Sequence, residues 1–182
     1  RPGRAPENWI EGDQGFTFIT HRGGANNYDA WAYSPTRKEV EPMAVVEESA
    51  QLSGAFSPDR KWHSYMSNES GDWQVYVQPY PKTGAKFQVT ANGGRSPMWL
   101  ADGRLVYERD GSIMTVSMRP GIPPTFGQPE SHPISGFIQP LLRRAWDVSP
   151  DGRLLMLFRD GTRIDVVTNV TSRVPAAGQA AR

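Results

Sequence analysis

Short apolar runs and polar turns follow one another along this chain in a fixed order. An apolar strand leads into a turn, as at Ala55-Phe56 before Ser57-Pro58-Asp59, Met98-Trp99 before Asp102-Gly103, and Asp147-Val148 before Ser149-Pro150-Asp151. A second run follows each turn, at residues 16–19, 62–66, 105–107 and 154–158. A polar, glycine-containing loop comes next ("HRGGANN", "SNESGD", "RDGS", "RDGT"), and then a third run at 29–33, 73–78, 113–118 and 164–167. A fourth run is clear at 86–90 and weaker at 40–46. Short runs rich in aromatic and β-branched residues, bounded by Gly, Pro, Asn and Asp, predict strands. No window carries apolar residues at i, i+3, i+4 and i+7 without a Gly or Pro inside it, so helices are not expected.

The order repeats. "FSPDRKWHSY", "WLADGRLVY" and "VSPDGRLLML" are copies of one phrase, and "IEGDQGFTF" is an eroded fourth. Their turn aspartates, Asp13, Asp59, Asp102 and Asp151, are separated by 46, 43 and 49 residues. A period in the forties with several strands per unit is the mark of propeller blades. The turn has its own chemistry. Pro58 and Pro150 preset φ, the aspartate accepts backbone N–H groups beyond it, and Gly103 and Gly152 supply a left-handed residue. Arg60 stands where the glycine belongs, which costs on the order of 1 kcal/mol if φ is positive there. The third runs do not alternate strictly: Trp73, Val75 and Val77 share one face while Tyr76 lies on the other, as in a sheet covered on both sides.

Composition agrees with many short strands, with 18 glycines and 16 prolines in 182 residues. The net charge of +1 gives no basic excess for nucleic acid. The absence of cysteine excludes disulfides and thiolate metal sites. The longest apolar run, 154–158, is far below the roughly 20 residues a spanning helix needs. The chain begins Arg1-Pro2 without a Met, so a piece of a longer protein is expected, with any signal or anchor upstream. The expected division is a worn first blade at 1–50, a second at 51–92, a third at 93–135 with a long Pro/Gly-rich connection carrying an outer strand at 132–134, a fourth at 136–168, and a disordered tail at 169–182.

The phrases "FSPDRKW", "SNESGDWQVYVQPYP", "TANGGRSPMW", "DGRLVY" and "WDVSPDGRLLML" resemble TolB-like β-propeller repeats over roughly residues 8–168. With the linker "PTFGQPE" they are most similar to the propeller on the C-terminal side of many bacterial serine/threonine protein kinases. The chain departs from the pattern at Arg60, at Ala101 where proline is usual, and in its first copy. The resemblance implies an all-β chain of about four blades, each a small antiparallel sheet, belonging to a ring of six to eight. It also implies a non-catalytic module, often outside the cytoplasm, that binds a protein or a small ligand. Its remaining blades would be supplied by a longer chain or by self-association. A gating propeller of a prolyl-oligopeptidase-type serine peptidase and a TolB-type periplasmic scaffold are the alternatives.

Catalytic chemistry is not expected from the residues. The kinase motifs and the G-x-S-x-G elbow are missing. His21, His63 and His132 lack partners at metal-ligand spacing, so neither a metal nor a cofactor is expected. The aspartates read as turn caps rather than a calcium loop. "NES" at Asn68 and "NVT" at Asn169 match a glycosylation acceptor by chance. Trp31, Trp62, Trp73, Trp99 and Trp146 fall inside predicted strands and read as packing rather than a sugar-stacking cleft. The candidate binding residues are Arg95 and Arg144. Each stands seven residues before its turn aspartate, at the start of an innermost strand and so at a channel mouth, where cations favour an acidic ligand or peptide. Leu52 holds that position in the second unit, and solvated loop charges are the alternative reading of both arginines.

Overall fold

A computed structural model describes residues 4–10, 15–23, 27–134, 136–138, 140, 144–149, 151–158 and 164–167. All regular structure among them is β. Contacts divide the chain into two compact units, Arg1–Pro97 and Met98–Arg182.

The first unit holds two sheets. One contains β1 (Arg4–Ile10), β2 (Gly15–His21), β3 (Tyr28–Ser34) and β4 (Glu39–Ala44), paired antiparallel in chain order. The other contains β5 (Gln51–Phe56), β6 (Trp62–Ser67), β7 (Gln74–Pro79) and β8 (Phe87–Gln88), again in chain order. A third sheet begins with β9 (Arg95–Trp99), which straddles the boundary between the units. It continues through β10 (Leu105–Arg109) and β11 (Ser112–Val116). A small hairpin, β12 (Met118–Arg119) and β13 (Thr125–Phe126), intervenes before β14 (Glu130–Pro133) pairs back onto β11. The fourth sheet is β15 (Trp146–Val148), β16 (Leu154–Leu157) and β17 (Ile164–Val167).

Every residue of β6 and β7 is buried, which explains why neither strand alternates apolar and polar positions. One face of the second sheet carries Tyr65 and Tyr76, stacked with ring centroids 5.7 Å apart. It packs on Ile10, Ala30, Ala32, Met43 and Ala44 of the first sheet, with Phe56 and Tyr80 at the margin. The alanines leave room for the rings, and each aromatic ring so buried removes about 150–250 Å² from water.

The aspartate turns are built as the sequence predicts. Arg60, Gly103 and Gly152 donate their N–H groups to the carbonyls of Ser57, Leu100 and Ser149, at 2.8, 3.0 and 2.8 Å. All three donors are left-handed, with φ of 58°, 85° and 81°. Asp59 and Asp102 accept the N–H groups of Lys61 and Arg104 at 3.1 and 3.0 Å. Ser57 Oγ donates to Asp59 at 2.6 Å, and Ser149 Oγ donates to Asp151 in the same way. These hydroxyl bonds hold both carboxyls below the ordinary carboxylate range. Arg60 therefore carries the backbone strain that the two glycines avoid. Asp13, Pro150 and the tail at 169–182 lie outside the described residues.

Some strand limits differ from expectation, for local reasons. The fourth run of the second unit narrows from 86–90 to Phe87–Gln88, because the Thr90 hydroxyl takes the Val75 N–H at 2.9 Å in place of a backbone carbonyl. The weaker run at 40–46 forms as Glu39–Ala44, since the Val46 N–H turns to Gln51 Oε1 at 3.1 Å. Trp73 stands just before β7, its carbonyl accepting the Gly94 N–H at 2.9 Å. The run at 113–118 breaks at Ser117, where Gly127 N–H bonds the Ser117 carbonyl at 3.0 Å and opens the β12–β13 hairpin. The outer strand expected at 132–134 is Glu130–Pro133.

Candidate functional site

Arg95 opens β9 and is half-buried; the residue after it, Ser96, is left-handed with φ 52°. Arg144 stands two residues before β15, half-buried and engaged with other groups. The two arginines belong to different compact units. Leu52, their counterpart in the second sheet, is fully buried, so the register position is not cationic in every sheet.

A polar joint that the sequence does not advertise lies in the first unit. β5 pairs with β6 through a register shift between Leu52 and Ala55, and Ser53 in that bulge is left-handed with φ 56°. A left-handed residue turns successive N–H groups to one side, making a concavity for an anion. Glu7, from the register shift in β1, fills it: Glu7 Oε1 accepts the Ser53 N–H, and Oε2 accepts the Gly54 N–H at 3.0 Å. Charge-assisted bonds of this kind are the stronger class.

His63 closes the joint from β6. It is fully buried, between Phe56 and Tyr65 at centroid distances of 5.0 and 5.9 Å. Burial, with a smaller contribution from Lys82, lowers its pKa from 6.5 to about 3, so the ring is neutral. The Gln78 amide nitrogen donates to the Met43 carbonyl at 2.6 Å and lies 3.4 Å from His63 Nδ1. An amide nitrogen cannot accept, so Nδ1 is the acceptor and the ring proton sits on Nε2. Nε2 has no hydrogen-bond partner. Gly54 makes this approach possible: a Cβ there would lie 2.6 Å from His63 Nε2 and 3.5 Å from Glu7 Oε2.

The first sheet also carries an apolar groove of about 550 Å³, lined by Ala5, Pro6, Phe16, Phe18, Tyr33 and Val40. Trp9, Phe16, Tyr33 and Val40 are successive register partners across all four strands, and the Trp9–Phe16 and Phe16–Tyr33 centroids are 6.2 and 5.6 Å apart. Trp9 and Val40 are 62% and 53% exposed. Beyond the groove, the buried Asp29 pairs with Arg22 at 2.7 Å, and burial raises its carboxyl above the ordinary value.

Of the five tryptophans read as packing, Trp62, Trp99 and Trp146 are buried, whereas Trp31 and Trp73 are half-buried. The His21 ring stacks on Tyr28 at 4.6 Å, and His132 Nε2 lies 3.0 Å from Thr115 Oγ1. Among the described residues no three His, Cys, Asp or Glu side chains cluster to hold a metal, and no helix is long and apolar enough to cross a membrane. Asn68 Oδ1 accepts the Ala50 N–H at 2.8 Å, while Asn169 lies outside the described residues.

No protein-family model matches the chain, and no curated protein sequence matches it significantly. Solved structures do. TolB from Acinetobacter baumannii is 15% identical, with a TM-score of 0.65 over 91% of this chain and 40% of that one. A protein assigned as TolB from Agrobacterium tumefaciens is 16% identical, with a TM-score of 0.52 over 90% of this chain and 48% of that one. A prolyl endopeptidase is 11% identical, with a TM-score of 0.51 over 85% of this chain and 23% of that one. The chain thus spans less than half the length of each. At these identities the likeness establishes the fold: an all-β, TolB-like propeller portion of about four blades, each a small antiparallel sheet.

Proposed function

We propose that this TolB-like propeller portion is a non-catalytic binding module, the C-terminal sensor or interaction region of a bacterial serine/threonine protein kinase, working outside the cytoplasm. The observation that carries the binding role is the fold itself, a run of small sheets similar to TolB over 91% of the chain. The kinase assignment rests on the repeat phrases and the "PTFGQPE" linker.

The ligand in this reading is a protein or small molecule bearing acidic groups; Arg95 in the first unit opens its strand and Arg144 in the second stands two residues before its own, and each taken by itself offers a cation to such a group. The aromatic face of the first sheet supports a ring completed by further sheets. The like face of the second sheet, with Tyr65 and Tyr76, is covered by Ile10, Ala30 and Ala32, whereas Trp9 and Val40 are open.

A labelled oligoglutamate peptide titrated into the protein at low salt tests the ligand class. Binding that weakens about tenfold in Arg95→Glu and further in the Arg95→Glu/Arg144→Glu variant is expected, a loss of roughly 1.4 kcal/mol for the first step. Binding unchanged by both substitutions, or none at all, overturns it. The likeness to a prolyl endopeptidase favours a second reading, a peptidase's gating propeller. A G-x-S-x-G domain after Arg182 in the reading frame would select it, and an N-terminal kinase domain with one spanning helix would select the first.

A further inference from the structure

The Ser53–Gly54 bulge holds a carboxylate in a manner that goes beyond strand pairing. Two consecutive N–H groups converge on Glu7, which comes from another sheet 46 residues earlier in the chain. A third donor, His63 Nε2, is fully buried and without a partner, and it faces the space left by the absent Gly54 side chain, beside Glu7 Oε2. Desolvating a donor and leaving it unmade is costly, and a native fold keeps few such groups without reason. The strain fits as well, since Ser53 adopts a left-handed φ of 56° without being glycine and the bulge needs that conformation to aim its N–H groups.

We infer that the Ser53 and Gly54 N–H groups and His63 Nε2 form a carboxylate-binding pocket, that Glu7 is its resident occupant, and that the pocket accepts an external carboxylate when Glu7 is withdrawn. An acidic side chain or a chain-terminal carboxylate of a partner is the class of group it takes. Charge-assisted N–H bonds and a neutral imidazole donor select an anion with in-plane lone pairs, and the absence of a lysine or arginine from these three donors favours a single negative charge over a phosphate. Glu7 then competes with a partner's carboxylate for the same donors and sets a threshold for its entry. The pocket shares no residue with the arginine proposal, so it stands or falls independently of the ligand proposed for Arg95 and Arg144.

The probe is acetate, compared with chloride at equal ionic strength, against the wild-type chain and Glu7→Ala, and followed by the amide resonances of Ser53 and Gly54 and the ring resonances of His63. In Glu7→Ala, saturable shifts at all three residues and a rise in melting temperature are expected with acetate. The wild-type chain, its pocket filled, is expected to respond at least about tenfold more weakly. Equal responses in the two proteins, or a folded Glu7→Ala chain whose Ser53 and Gly54 amides ignore acetate, overturn the inference. Should Glu7→Ala not fold, Glu7→Gln replaces it. Its single carboxamide oxygen satisfies one N–H well, and hydrogen exchange at the other is expected to quicken by about tenfold. Unchanged exchange at both amides also overturns the inference.

Discussion

Replacing Trp99 by alanine is expected to cost about 3–5 kcal/mol of unfolding free energy, the range for deleting a buried large aromatic. Trp99 ends β9 and is 8% exposed. Trp9 supplies the contrast. It is 62% exposed, so Trp9→Ala should change stability by under about 1 kcal/mol. Urea unfolding of the two variants measures both values. A Trp99→Ala cost under about 1 kcal/mol would place that ring at the surface and revive the idea of a stacking cleft for a ligand.

Acid should weaken the fold well before its carboxylates protonate, and His63 is the reason. Its folded pKa is about 3 against an ordinary 6.5, because burial disfavours the charged ring. The unfolded chain binds a proton at this residue as pH falls below about 6.5, whereas the folded chain stays neutral there until about 3. Stability from His63 is therefore full above pH 6.5 and declines with falling pH across that window. The slope approaches about 1.4 kcal/mol per pH unit, and the whole loss is on the order of 5 kcal/mol. Lys82 adds to the effect, while Glu7 on β1 and Tyr65 on the same strand border the ring. Asp29, with its carboxyl held above the ordinary value, works in the opposite sense as it protonates, so the difference between the wild type and a His63 variant from pH 5 to 6.5 isolates the histidine. Denaturant midpoints over that range should fall for the wild-type chain and fall less for His63→Gln. A flat profile in the wild type would mean that His63 is hydrated and the joint around it is open.

Local chemistry made the fold legible. Ser57-Pro58-Asp59-Arg60 and its two counterparts carry their whole turn geometry within four residues, so the left-handed Arg60 could be placed from sequence with φ 58° as the outcome. Unbroken burial of β6 and β7 was likewise visible in the failure of Trp73 to Gln78 to alternate. The Glu7 joint was not legible. Glu7 and Gly54 meet only because two sheets pack, and nothing in the propensity of Ser53 marks it as left-handed. The signal that existed was weak: Glu7, Ser53 and Ser96 each stand six residues before a turn aspartate. His63 read as an ordinary strand residue, since full burial depends on Phe56, Tyr65 and Gln78 assembling around it. The β12–β13 hairpin hid inside a Pro-rich stretch whose pattern has no period.

Cross-strand proton contacts by nuclear magnetic resonance bear most directly on the central claim, that each aspartate turn belongs to its own small sheet of a propeller. Close contacts are expected at register pairs within sheets, such as Phe18–Trp31, Tyr65–Tyr76 and Tyr107–Met114. Side-chain contacts are expected between the first two sheets, with Tyr65 and Tyr76 against Ala30 and Ala32. A backbone ladder joining β4 to β5 edge to edge, merging the sheets into one continuous sandwich layer, would contradict it.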